Sequence, residues 1–100
     1  MAEKKMPPVH PGEILKEEFL IPMDLSEYRL AKDIKVPALR INQIVRGQRS
    51  VTADTALRLA RYFGTTAEWW VNMQAHYDLE VARDEIGETV TSEVKPREAA

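Results

Sequence analysis

Residues 25–47 predict two short helices joined by only three residues, and no other feature constrains the fold as strongly. The first helix is predicted over residues 27–33. Ser26 suits its N-cap, and Leu25 and Leu30 have the spacing of a hydrophobic staple. Two helices this close in sequence must cross at a sharp angle.

The second helix of the pair is predicted over residues 37–45. Pro37 suits the first helical position because its φ is already helical, and Gly47 suits the C-terminal stop. The joint is then Ile34-Lys35-Val36. We expect the crossing to bury one set of small and aliphatic side chains: Leu30, Ala31, Ile34, Ile41 and Ile44.

Three further helices complete an all-α prediction. One spans residues 13–20 and one spans residues 53–63, which Thr52 precedes and Gly64 follows. The longest starts at a capping box formed by Thr65 and Glu68 and continues toward residue 83. No segment alternates with the period of a strand.

The domain boundaries follow from these helices. Residues 1–9 are predicted to be a flexible arm and residues 10–85 a single domain, with the helix pair at about 26–46. Residues 86–100 have little apolar content and include Pro96, so a disordered tail is predicted. The chain has no cysteine and no apolar stretch near the roughly 18 residues of a membrane span, which together predict a cytoplasmic protein with no membrane partner.

Charge is distributed unevenly along the chain. The net charge is −2, yet residues 26–62 carry eight basic and three acidic side chains, while residues 63–100 carry three and eight. Between Lys35 and Gln48 there is no acid at all. Because only charges within about 10 Å of a partner act strongly on it, a basic surface on an acidic body remains compatible with a nucleic-acid partner.

The outward side of the second helix carries residue types that read base edges. Arg bonds guanine bidentately, Asn and Gln do the same to adenine, and small apolar groups meet the thymine methyl. The outward residues predicted to read bases are Ala38, Leu39, Arg40, Asn42 and Gln43. Arg46 and Arg49, just past the helix, are predicted to contact phosphates. The alternative is that the helix pair serves packing alone.

Catalytic and metal sites have no support in the sequence. His10 and His76 are far apart and lack the spacing of a metal set. Adjacent acids such as Glu17-Glu18 splay about 100° apart on a helix and do not converge on a substrate. The chain is therefore predicted to be no enzyme and to need no cofactor, and Trp69 and Trp70 are assigned to core packing.

Three segments resemble the five-helix, lambda-repressor-like regulators: Ser26–Lys32, Ile41–Arg49 and Ala56–Gly64. Three more resemble the HigA/VapI antitoxin branch of that helix-turn-helix (XRE) family: His10–Leu15, Val36–Gln43 and Trp69–Leu79. The resemblance implies a homodimer that binds double-stranded operator DNA, represses its own operon and neutralises a HigB-type toxin that cleaves mRNA.

The resemblance also implies roles for individual residues, and the sequence departs from the family pattern at two positions. Base contacts fall at Pro37, Ala38, Leu39 and Gln43, with Arg40 and Asn42 adjoining, and phosphate contacts fall at Ser26 and Arg46. Lys35 stands where the family usually has glycine in the turn, and Pro37 replaces the usual Ser or Thr cap. Lys35 thus either adopts a left-handed conformation, costing on the order of 1 kcal/mol, or the turn is remodelled.

Two other functions remain open at this point. The chain could be a protein-interaction module whose helix-turn-helix does not bind DNA. It could also be a phage-type or RNA-binding regulator with no toxin partner.

Overall fold

A computed structural model describes residues 7–98, which contain five helices and no strand. The prediction of an all-α, five-helix fold is confirmed. The first helix continues as a π-helical turn, Leu15–Leu20, and no helix of the described part is long and apolar enough to cross a membrane. The helices are α1 (Pro11–Ile14), α2 (Glu27–Ile34), α3 (Ala38–Val45), α4 (Ala53–Phe63) and α5 (Ala67–Glu93).

The core lies where α2 and α3 cross and where α4 and α5 close over them. All five side chains predicted to turn inward at the crossing are buried. Trp70 is fully buried as predicted, and its indole Nε1 donates to Thr65 Oγ1 at 2.8 Å. Phe19 packs against Phe63 and Trp70, which ties the π-helical turn to α4 and α5. A rigid core therefore supports α3 from behind.

Helix α1 meets the end of α3 with almost no space between the two backbones. A Cβ built on Gly12 would lie 1.7 Å from the carbonyl oxygen of Ile44. His10 caps α1, its Nδ1 accepting from the Gly12 N–H at 2.9 Å. The glycine thus sets how closely α1 supports α3.

The turn between α2 and α3 keeps the left-handed geometry although it holds no glycine. Lys35 has φ 64 and ψ 45. Its N–H donates to Lys32 O, and the Val36 N–H donates to Ala31 O at 3.0 Å, the paired bonds of a Schellman motif. Arg58 Nη1 also donates to Ile34 O at 2.9 Å. These bonds offset the cost of the left-handed lysine, so the turn is not remodelled.

Several predicted helix boundaries need correction. Helix α5 is capped by Thr66, whose Oγ1 accepts from Trp69 N, so the capping box at Thr65 is wrong. The Thr65 hydroxyl is engaged by the indole of Trp70 instead. Pro37 is the N-cap of α3, with ψ 141, and not its first helical residue. Helix α1 starts at residue 11, two residues earlier than predicted.

The C-terminal segment departs most from the sequence prediction. Helix α5 runs to Glu93, so the expectation of disorder is wrong for residues 86–93. A helix already nucleated on the core extends at one hydrogen bond per residue, and the first residue that cannot continue it is Pro96. Residues 94–98 have no regular structure. Residues 1–6 of the predicted arm and 99–100 of the predicted tail lie outside the described residues.

Candidate nucleic-acid interface

The outward side of α3, which we call the reading face, consists of the six residues predicted to contact bases. Pro37, Ala38 and Leu39 are exposed, and Leu39 keeps 63% of its surface. Arg40, Asn42 and Gln43 are half-buried at its margins. The face stands on a buried side formed by Ile41 and Ile44, so the helix presents it from a fixed support.

Arg40 is paired with the start of α4. Its Nη1 lies 3.4 Å from Asp54 Oδ1, and the same carboxylate accepts from Arg58 Nε at 2.8 Å. One acid between two arginines leaves this corner with a net positive charge. The sequence missed Asp54 because it lies outside the acid-free stretch and reaches Arg40 only through the fold.

Asn42 holds the two helices of the motif together. Its Nδ2 donates to Glu27 Oε1 at 3.0 Å in a half-buried contact. A base contact by Asn42 would have to break this bond or share the amide. Glu27 is a residue that sequence reasoning overlooked, since its position in the first turn of α2 suggested only a favourable interaction with the helix dipole.

Gln43 contacts Arg49, which lies just beyond α3. Arg49 Nε donates to Gln43 Oε1 at 2.8 Å. The main chain between them is fixed by a second Schellman motif, in which Gln48 N donates to Gln43 O at 2.8 Å and Gly47 has φ 74. A predicted base reader and a predicted phosphate contact are thus joined in the protein itself.

The other predicted phosphate contacts differ in what they offer. Ser26 Oγ accepts from Arg29 N at 3.0 Å, so the hydroxyl already serves as the cap of α2 and its proton is left to donate. Arg46 is exposed at the end of α3, and within residues 7–98 its side chain has no hydrogen-bond or ion-pair partner. Of the three predicted phosphate contacts, Arg46 is therefore the one whose side chain is not already engaged.

A polar junction fastens the loop between α3 and α4 to the rest of the domain. Gln74 is buried, and its Oε1 accepts from Val51 N at 2.8 Å while its Nε2 donates to Asp78. His10 is also buried here, with its ring edge-on to Tyr77 at 4.9 Å. Burial lowers the pKa of the His10 imidazole, against the opposing effects of Asp78 and a backbone hydrogen bond with Arg49.

The described part of the chain brings its two histidines to separate places. No group of three potential metal ligands occurs within residues 7–98. His76 is exposed and lies 4.0 Å from Glu80 on its own helix. Trp69, unlike its neighbour Trp70, keeps 40% of its surface exposed, so the predicted core role holds fully for Trp70 alone.

The sequence and shape of this chain are similar to those of helix-turn-helix proteins. The helix-turn-helix family model matches residues 15–70. Virulence-associated protein I of Dichelobacter nodosus is 58% identical over 83 residues, 83% of this chain and 77% of that protein. The solved structure of Pseudomonas aeruginosa antitoxin HigA with the higBA promoter matches with a TM-score of 0.87 and 47% identity, covering 89% of this chain and 97% of that one.

A second solved structure extends the match over nearly the whole chain. Antitoxin GraA in complex with its operator matches with a TM-score of 0.89 and 38% identity, covering 99% of this chain and 100% of that one. Sequence and shape therefore agree along the helix pair and along α5. The chain belongs to the helix-turn-helix family, in the group that contains the HigA antitoxins.

Proposed function

We propose that this chain is a sequence-specific DNA-binding repressor and the antitoxin of a HigB/HigA-type toxin–antitoxin system. It autoregulates its operon and neutralises an mRNA-cleaving toxin; it acts in the cytoplasm and catalyses no reaction. The observation that carries the DNA-binding part is the reading face, an exposed helix surface held on a buried support and flanked by unpaired Arg46. Two matched relatives were solved with a promoter and an operator, which supports the same partner here.

The mechanism is insertion of α3 into the major groove. Leu39 and Ala38 meet apolar groups such as the thymine methyl, and the polar side chains beside them meet donors and acceptors of the bases. Arg46 neutralises a phosphate next to the groove. Two subunits place their reading faces about 34–36 Å apart, one turn of the duplex, which matches a palindromic operator.

The homodimer has a matching apolar surface on α5. Along this helix Leu79, Ile86 and Val90 stay about half exposed and line a groove of about 730 Å³. A helix draws most of its stability from packing an apolar face, and the last turns of α5 pack against nothing else within residues 7–98. A second copy of α5 supplies that packing in the proposed dimer.

DNA binding is tested with duplex DNA from upstream of the protein's own coding sequence and a scrambled duplex of the same length. We expect the upstream duplex to bind at least about 1,000-fold more tightly. Arg46→Ala should weaken both duplexes alike and lower the slope of log affinity against log salt by about 1, because one phosphate contact is lost. Lys95→Ala removes a cation beyond α5 and should leave the slope unchanged.

Two outcomes would contradict the DNA-binding function. If neither duplex binds below millimolar concentration at about 50 mM salt, the chain is an interaction module and its helix-turn-helix does not bind DNA. If both duplexes bind equally, the protein binds DNA without reading its sequence. Both outcomes remove autoregulation, and neither bears on neutralisation of a toxin.

The toxin partner is tested by expression of the neighbouring reading frame. We expect a short basic protein that arrests growth when expressed alone and is harmless when co-expressed with this chain. Growth arrest that co-expression does not relieve, or a neighbour with no toxicity, would favour a regulator without a toxin.

A further inference from the structure

Gln43 and Arg49 form one recognition unit, and we propose that this pair selects guanine in the operator. The inference rests on the proposed DNA-binding function and adds a base identity to it. The sequence alone assigned Gln43 to a base and Arg49 to a phosphate, as two independent contacts. The hydrogen bond of 2.8 Å from Arg49 Nε to Gln43 Oε1 joins them and changes what both offer to DNA.

The direction of this hydrogen bond follows from chemistry. The arginine guanidinium has five N–H donors and no acceptor, so the atom of Gln43 that faces it must be the amide oxygen. The amide nitrogen Nε2 then points away with two donors. Arg49 Nε uses one of the two lone pairs of Gln43 Oε1, and the free N–H groups of the guanidinium lie beside the other, so the pair presents mainly donors to a base.

The base preference follows from that donor set. A free glutamine recognises adenine by donating to N7 and accepting from the N6 amino group, which requires its oxygen. The guanidinium beside that oxygen sets its own N–H donors against the N6 amino donor of adenine, so the bidentate adenine contact is disfavoured. Guanine offers two acceptors, N7 and O6, on its major-groove edge, and the donors of the pair match both.

The pair is held in place by the main chain around it. The bond from Gln48 N to Gln43 O closes the end of α3 directly beneath the pair. Beyond Arg49, Gln74 Oε1 accepts from Val51 N at 2.8 Å in a buried contact. Both side chains therefore project from main-chain segments that are already held in place, which reduces the conformational entropy lost when they contact a base.

The other polar side chains of the reading face have different commitments. Asn42 donates to Glu27, and Arg40 is drawn toward Asp54. Neither contact changes which base edge the side chain can match, whereas Arg49 does change it for Gln43. The pair is therefore the group whose preference the structure changes from what the sequence predicts.

The test is selection of binding sites from a random duplex library by the full chain and two variants. We expect the wild type to select guanine at one position of each half-site. Replacing that guanine by 7-deazaguanine, which lacks the N7 acceptor, should weaken binding about 10-fold. Arg49→Met frees the Gln43 oxygen and should change the selected base at the same position from guanine to adenine.

A second variant tests whether guanine selection needs the amide donors of Gln43. Gln43→Glu keeps an oxygen for Arg49 but replaces the amide donors by an acceptor, so guanine should be lost at this position. Arg46→Met is the matched control, because it removes an equally exposed arginine and should weaken binding without changing the selected base. Helix content and thermal unfolding of each variant establish that the fold is intact.

The outcomes separate this proposal from the function on which it rests. If the library yields no bound duplex, DNA binding itself fails. If a site is selected but Arg49→Met lowers affinity without changing its sequence, Arg49 is a simple phosphate contact and the pair is refuted. Selection of adenine by the wild type at the position that depends on Gln43 would also overturn it.

Discussion

Replacing Gly12 by alanine should separate α1 from α3 and destabilise the whole domain. The new Cβ would lie 1.7 Å from Ile44 O and 2.6 Å from Ile44 C. Since non-bonded heavy atoms prefer about 3.5 Å or more, the helices must part by roughly 1.8 Å. The obstacle is main chain, which has no rotamer by which to move aside.

The magnitude follows from two opposing effects. Overpacking a core costs about 1–3 kcal/mol when side chains can adjust, and a clash with backbone lies at or above the upper end of that range. Alanine in a helix gains at most about 1 kcal/mol over glycine. We therefore expect a net loss of about 2–4 kcal/mol, a large part of the 5–15 kcal/mol typical of a domain.

The assay is urea denaturation followed by tryptophan fluorescence, since Trp70 is fully buried. All proteins are compared at one concentration, because dimerisation contributes to apparent stability. The midpoint of Gly12→Ala should fall by at least about 1 M urea. Gly87→Ala is the matched control within one subunit: its Cβ would meet no atom closer than 4.0 Å, and helix propensity should make this variant more stable by about 0.5–1 kcal/mol. Because Gly87 lines the proposed dimer groove, the comparison is made at a protein concentration low enough to dissociate the dimer.

The reasoning would be refuted if Gly12→Ala unfolded within 0.5 kcal/mol of the wild type, a margin typical of substitutions away from any packing constraint. That result would mean that α1 and α3 can separate without loss of core packing. A destabilised Gly87→Ala would contradict the control and place a contact at α5 that the described residues do not show.

Two further predictions concern His10 and α5. Folding lowers the pKa of His10 from 6.5, so the unfolded chain binds the imidazole proton more tightly than the folded one. The contribution of His10 to the free energy of unfolding should therefore be fully present above pH 6.5 and should be lost as the pH falls from 6.5 toward the pKa of the folded state. His10→Asn can still accept from Gly12 N–H but does not titrate. Urea denaturation should show that this variant loses less unfolding free energy between pH 7.5 and pH 5.5 than the wild type does, and an equal loss in both proteins would contradict this account. Ile86→Asp should weaken the proposed dimer about 100-fold or more in sedimentation equilibrium, because each subunit loses an apolar contact and buries a carboxylate. Glu85→Ala, the control, should leave the dimer unchanged. If Ile86→Asp also leaves it unchanged, the apolar groove on α5 is not the interface.

The sequence predicted the helix pair, the turn within it and the C-terminal segment with different success. The inward residues of the helix pair were predicted correctly because apolar spacing at 3.6 residues per turn is a local property. The left-handed turn at Lys35 was only one of two options, since its supporting bond from Arg58 comes from another helix. Residues 86–100 were predicted to be disordered because they have little apolar content and include Pro96, whereas α5 extends to Glu93 from a helix that the core has already nucleated.

The sequence by itself determined the helix pair, the buried side of α3 and the residue types exposed on the reading face, because capping, periodicity and charge act over a few residues. Only the tertiary structure decided which of those side chains are already engaged. Glu27, Asp54 and Gln74 reach their partners across 15, 14 and 23 residues of chain, and no local pattern encodes such contacts. Hydrogen-bond partners set the donors and acceptors that a side chain has left, so the chemistry offered to DNA is a property of the folded molecule.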